Sequence, residues 1–216
     1  MSEIDWSCVR VRLRAEERHV RYDDLAFEPG VLPGVLGLLM VERGPNLFSM
    51  PAASWAALAP AERRTRFQAA IDRTVATTTV MRSETQLPDG AGYSVFAGDD
   101  HTTSTLALRA ERLVSADPRW GALVAAPRSQ LALAHAIADH RMIPMISRMA
   151  FVAAGIFSEG PAPLVSPRLF WVRGAHCEAL DVEVDLAARR VTRFSPSAQF
   201  ATEVLMPLGG DTLRSV

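Results

Sequence analysis

The hydrophobic positions change period several times along the chain, and each change marks an element. Residues 8–14 read Cys-Val-Arg-Val-Arg-Leu-Arg, an alternation of period two that predicts a half-buried strand. Its polar face is a comb of Arg10, Arg12 and Arg14, a pattern that guards an edge strand against unwanted pairing. Pro29, Gly30, Pro33 and Gly34 predict a loop. Residues 35–41 are almost wholly apolar, as in a strand covered on both faces. Gly44-Pro45-Asn46 then turns the chain into a returning strand at 47–50. Pro51 predicts a helical start, with Trp55 and Leu58 as its small apolar face.

From Pro60 the apolar spacing becomes three and four. Phe67, Ala70, Ile71, Thr74 and Val75 fall on one helical stripe, and Arg63, Arg64, Arg66 and Arg73 lie off it. Residues 80–87 and 93–96 read as a hairpin closed by Pro88-Asp89-Gly90. The run Asp99-Asp100-His101-Thr102-Thr103 is rich in capping groups. It predicts a helix carrying Leu106, Leu113 and Val114, ended by Asp117-Pro118. Residues 120–126 predict another buried strand, and Pro127-Arg128-Ser129 turns it into a helix over 130–140. Pro144 predicts a break or kink before a second apolar helix over 142–157. Further strands are expected at 168–172, 177–184 and 191–194, and the tail beyond Pro196 carries no clear period.

Several hairpins and a single strand-to-helix crossover favour an α+β domain, with helices packed on a mixed or antiparallel sheet. The expectation is one compact domain over 1–216, begun by a strand and loop over 1–31 and closed by a C-terminal extension over 186–216.

Composition removes several chemistries. All 23 basic residues are arginine, so no side chain here can form a Schiff base or serve as a phosphate-loop lysine. Arginine holds and orients anions but is a poor proton shuttle. The formal charge is −1 and arginines alternate with acids, which argues against a nucleic-acid partner. Cys8 and Cys177 stand far apart and in no motif, so no disulfide framework is expected. The acidic start lacks the order of a secretory signal. The apolar stretch 142–157 is interrupted by Arg148 and Pro144 and is short for a bilayer. These features predict a cytoplasmic protein without membrane contact.

The candidate catalytic residues are His135, Asp139 and His140. On a helix, His135 and Asp139 would share a face one turn apart, where the carboxylate could orient the imidazole or join it on a metal. His135 also falls on the apolar stripe of Leu131, Ala134, Ala138 and Met142, a place that suits a packed core histidine. Arg128 and Ser129 are the candidate anion-binding residues, because a strand-to-helix junction points backbone amides at an anion. In His176-Cys177-Glu178, strand alternation would place His176 and Glu178 together and turn Cys177 inward. Asp99, Asp100 and His101 cluster polar ligands at a helix start, where capping explains the Asp and Thr residues without a metal and a metal role is the lesser alternative. No hydrolase elbow, dinucleotide glycine motif or zinc spacing occurs, so neither cofactor nor metal is expected.

The order of the pieces is informative. A buried strand at 36–41, a hairpin return and a helix ending near 70–74 come first. Gly121-Ala122-Leu123-Val124-Ala125-Ala126-Pro127-Arg128-Ser129 and Ser166-Pro167-Arg168-Leu169-Phe170-Trp171 follow. Over about residues 32–185 this resembles the YtpQ-like family of bacterial proteins of unknown function. Two features depart from it: Arg128 and Ser129 stand in the opposite order, and Asp72-Arg73-Thr74 replaces a usual asparagine. The resemblance implies an intracellular α+β domain and no particular activity.

Two functions are expected. The first is an accessory protein that recognises a peptide or protein partner, with a homodimer contact at the Met- and Phe-rich segment 142–157 as one form of it. The alternative is an enzyme acting on a small anionic substrate in a specialised biosynthetic pathway. There Arg128 holds the anion, His135 moves protons and Asp139 orients the imidazole. An immunity-type protein is a third option.

Overall fold

Strands whose both faces are apolar must be covered twice, and the architecture follows from that requirement. In a computed structural model, described over residues 4–16, 24–87, 90–114, 117–160 and 163–212, two large antiparallel sheets, a separate two-stranded hairpin and their helices form an α+β fold. The first sheet holds β1 (Val9–Ala15), β2 (Phe27–Leu32), β3 (Val35–Arg43) and β4 (Asn46–Ser49). Within it β3 lies between β1 and β2, and β4 also pairs with β3. After α1 (Ala52–Ala56) and α2 (Pro60–Thr77) comes the second sheet. Its strands are β5 (Met81–Gln86), β6 (Gly92–Ala97), β7 (Ala122–Arg128), β8 (Leu131–Ala136), β9 (Leu169–Arg173) and β10 (His176–Ala179). Their order is β10-β9-β7-β8-β6-β5, and every pairing is antiparallel.

Alternation divides the interior into two cores on opposite faces of the second sheet. Ala122, Val124, Ala126, Ala132, Ala134, Phe170 and Val172 face the first sheet, α2 and a 3-10 helix over Thr103–Arg112. Leu123, Ala125, Leu133, Leu169 and Trp171 face α3 (Met142–Glu159) and the C-terminal helices. The buried Trp171 indole donates to the Trp120 carbonyl at 2.8 Å, so its one polar atom is satisfied. On α2, Phe67 and Ile71 are buried, each worth about 1.5–3 kcal/mol of apolar transfer. Phe67 lies directly over Gly37 of β3, where a Cβ would sit 2.6 Å from the ring.

The outer edge of β1 is sealed by α2 and the 3-10 helix rather than by repelling charge. Thr74 Oγ1 accepts from the Val11 amide at 2.8 Å, and Thr105 Oγ1 donates to the Val11 carbonyl at 2.9 Å. Of the β1 arginines, Arg10 is drawn into ion pairs instead. Arg10, only 12% exposed at its side chain, bonds Glu42 and Asp100.

Four expectations are corrected. The segment 130–140 is not a helix; β8 pairs with both β7 and β6. Pro144 does not break α3 but lies in its first turn, where its missing N–H costs nothing. The predicted loop at 29–34 contains most of β2, an edge strand that takes up Pro29 and Gly30 where its register shifts. The predicted strand 177–184 is divided between β10 and β11 (Asp181–Asp185), which pairs with β12 (Arg190–Ser195) as a separate hairpin.

The C-terminal run is integral to the core. It comprises α4 (Ala198–Phe200), a π turn (Ala201–Leu205) and α5 (Met206–Thr212), and it buries Phe200, Val204 and Leu208 beside α3. By length and composition α3 is apolar enough to cross a bilayer, and here it packs on the second sheet through Met142, Met145, Ile146, Met149, Ala150 and Ala153.

Candidate functional site

The strand assignment dissolves the His135–Asp139 pair. On β8, His135 shares the α3-facing side with Leu131 and Leu133. Its Nδ1 meets the Gly92 carbonyl. A carbonyl only accepts, so Nδ1 carries the proton and Nε2 is left with its lone pair. Burial, the largest influence, pulls the His135 pKa below the usual value, which keeps the ring neutral. Asp139 lies beyond the strand end and is occupied by Arg141, whose Nη2 donates to it at 2.6 Å and whose backbone amide donates at 2.9 Å. Those bonds hold its carboxyl below the ordinary carboxylate range. His140 is exposed and lies outside the cleft.

His135, Asp139 and Arg141 nonetheless line one cleft of about 270 Å³, together with Glu84 and Ser94. Glu84 accepts from Ser94 Oγ at 2.8 Å and from Arg82 Nη2 at 2.8 Å. The cleft thus has a neutral imidazole at one wall and two ion pairs at its rim.

Arg128 and Ser129 do not meet there. Arg128 Nε and Nη2 donate to the Ile156 carbonyl at 3.2 and 3.1 Å, closing the C-terminal end of α3. Ser129 is buried, its Oγ lies 3.0 Å from His101 Nδ1, and its carbonyl accepts from the Ser104 amide. No helix begins at this junction, so the helix-terminus argument for an anion site fails. Asp100 caps the next turn through the Thr102 amide at 2.8 Å. Among the described residues no group of three or more metal-ligating side chains converges.

A second cavity of about 450 Å³ is bordered by His176 and Cys177. Burial, chiefly, pushes the Cys177 thiol up to about 12, far from the thiolate a nucleophile needs. His176 Nε2 stands 3.5 Å from Glu178 on the strand's other face.

A further concavity involves the segment 142–157 that the sequence suggested as a contact surface. A groove of about 860 Å³ runs between the outer face of α3 and the β11–β12 hairpin. Pro144, Phe151, Val152 and Ile156 form one wall, and Leu186 and Val191 the other. At Gly155 a Cβ would meet only the Leu186 side chain, at 4.0 Å, so a larger side chain there has room to enter the groove. Arg148, Arg189 and Arg190 stand on its rim against the single carboxylate of Glu159. None of these three arginines has a side-chain hydrogen bond or ion pair among the described residues. Arg189 also carries a φ of 53°, the one positive value among the described non-glycine residues. It closes the hairpin turn, in which Asp185 Oδ1 accepts from the Ala188 amide at 2.9 Å. The signal in the sequence was faint: an apolar helix interrupted by an arginine, and paired arginines at 189–190.

The chain matches no protein-family model, no curated protein and no solved structure. Any functional reading therefore rests on the geometry.

Proposed function

We propose that this protein is a binding or accessory protein that recognises a peptide or protein segment in the groove between α3 and the β11–β12 hairpin. The observation that carries this reading is the groove's size and lining. A concavity of about 860 Å³, lined mostly by apolar side chains and rimmed by charge, has the size of a ligand cleft. Its walls are α3, fixed to the core through Met145 and Met149, and a hairpin whose Val182, Val184 and Phe194 pack partly buried against the same core. The test is selection of a random displayed-peptide library on the wild type and on Gly155→Phe, whose ring fills the groove from a position with open space around it. Peptides enriched by the wild type and not by the variant support the reading. Equal enrichment on both rejects it.

A second reading has one specific observation in its favour. The unpartnered His135 Nε2 opens on a cleft that also holds Arg141, which suits proton removal from a small anionic substrate, with Arg141 taking the anchoring role expected of Arg128. Addition of inorganic phosphate while the His135 imidazole nitrogens are followed by NMR tests it. Unchanged shifts at saturating phosphate count against it.

A further inference from the structure

We infer that the occupant of the groove is an acidic segment carrying apolar side chains. This inference rests on the groove being the binding surface, and it adds the chemistry of the partner.

The charge pattern points there. In this chain the described arginines are mostly spent on internal partners: Arg10 on Glu42 and Asp100, Arg109 on Asp72, Arg173 on Glu203, and Arg193 on Asp181 and Glu183. Arg148, Arg189 and Arg190 are instead exposed, lack such partners, and edge the same apolar groove. Three cations facing one carboxylate leave the rim positive while the molecule as a whole carries −1. Complementary charge on a partner steers its approach and fixes its register, and the apolar floor supplies the burial.

Arg189 adds an independent observation. A β-hairpin turn with a left-handed position normally takes glycine or asparagine. A bulky side chain there costs about 1 kcal/mol or more, and the surrounding structure tolerates such strain most often at functional positions. The strained backbone holds a guanidinium over the groove that glycine would not provide.

Charge disfavours a second copy as occupant, and shape disfavours a lipid surface. In a two-fold contact between copies each patch meets itself, so the three arginines of one copy would face those of the other. A lipid surface is flat, whereas the apolar residues here line a concavity between two elements.

The experiment takes a peptide enriched on the wild type and a version with every Asp and Glu replaced by Lys. Both are labelled with fluorescein and titrated by anisotropy against the full chain, its Gly155→Phe variant and a triple variant, R148Q with R189Q and R190Q. The enriched peptides are expected to be rich in Asp and Glu between apolar residues. The triple variant should weaken the acidic peptide by roughly tenfold or more, rising salt should weaken it on the wild type, and the Lys version should not bind. Enriched peptides that are neutral or basic, or an unchanged affinity in the triple variant, overturn the inference while leaving the groove as the site. Binding that ignores Gly155→Phe, or a library that yields no binder, overturns both. Co-sedimentation of the wild type with phosphatidylcholine–phosphatidylserine vesicles, uncompeted by the acidic peptide, assigns the rim to a membrane and overturns the inference as well. Concentration-dependent self-association abolished by Gly155→Phe assigns it to a second copy, with the same consequence.

Discussion

Arg128 reaches back across the second sheet and grips Ile156, donating from Nε at 3.2 Å and from Nη2 at 3.1 Å to a carbonyl that the helix itself leaves unpaired. A cation at a helix C-terminus is favourable both as a donor and against the helix dipole. Gly160 is part of the arrangement, because a Cβ there would fall on the guanidinium. Arg128→Gln is expected to lower stability by about 1–3 kcal/mol. Gly160→Ala should do so by a similar route, so the double variant costs less than the two singles added. Urea denaturation of all four proteins checks this. Additive losses would show that the residues act separately.

Arg189 should behave as a position where stability and binding diverge. Arg189→Gly removes left-handed strain at the hairpin turn and is expected to leave stability unchanged or raise it by up to about 1 kcal/mol. The same change should weaken an acidic groove peptide. Thermal unfolding together with peptide titration reads both effects, and a clear loss of stability contradicts the assignment of strain.

Two histidines give the fold a defined response to mild acid. Burial, first, lowers the pKa of His135, and burial followed by the charges of Arg12 and Arg14 lowers that of His101. Both pKa values lie below the unfolded value of 6.5, so the unfolded chain binds more protons between the native values and 6.5. Stability is therefore complete above 6.5 and declines as pH falls toward the native values. Denaturation measured at steps from about pH 7 to pH 5 should show this slope, and His135→Gln should flatten part of it. Equal slopes for wild type and variant would show that His135 is not buried neutral.

Cys177 should be chemically silent while the protein is folded. With its thiol pushed to about 12, almost no thiolate exists at neutral pH. Iodoacetamide is expected to label it only after unfolding in guanidinium, as read by peptide mass spectrometry. Rapid native labelling contradicts the burial described here.

Much of this architecture was legible in the sequence, and the failures have a common physical source. The alternation of Val9, Val11 and Leu13 gave β1, and the stripe through Phe67, Ala70, Ile71 and Thr74 gave α2, because each element buries one face and its period survives. Leu-Ala-Leu-Ala-His-Ala of β8 misled. Its alanines favour a helix locally, and a strand covered on both faces has no polar alternation to reveal it. The pairing of β8 with β6 and β7 overrides that local preference. The candidate site inherited the error: without the helix, His135 and Asp139 lose their shared face, and Arg128 and Ser129 lose the helix start they were meant to serve. The groove was legible only as an apolar contact segment at 142–157, because Phe151 and Ile156 line one cleft with Leu186 and Val191 only after the chain has folded.

The groove and the His135 cleft are told apart by one titration. A selected peptide is measured against the wild type, Gly155→Phe and His135→Gln under one set of conditions. Affinity should fall by roughly tenfold or more in Gly155→Phe, with its unfolding midpoint preserved, and stay unchanged in His135→Gln. Loss of binding in His135→Gln with full binding in Gly155→Phe would place function in the cleft and contradict the assignment to the groove.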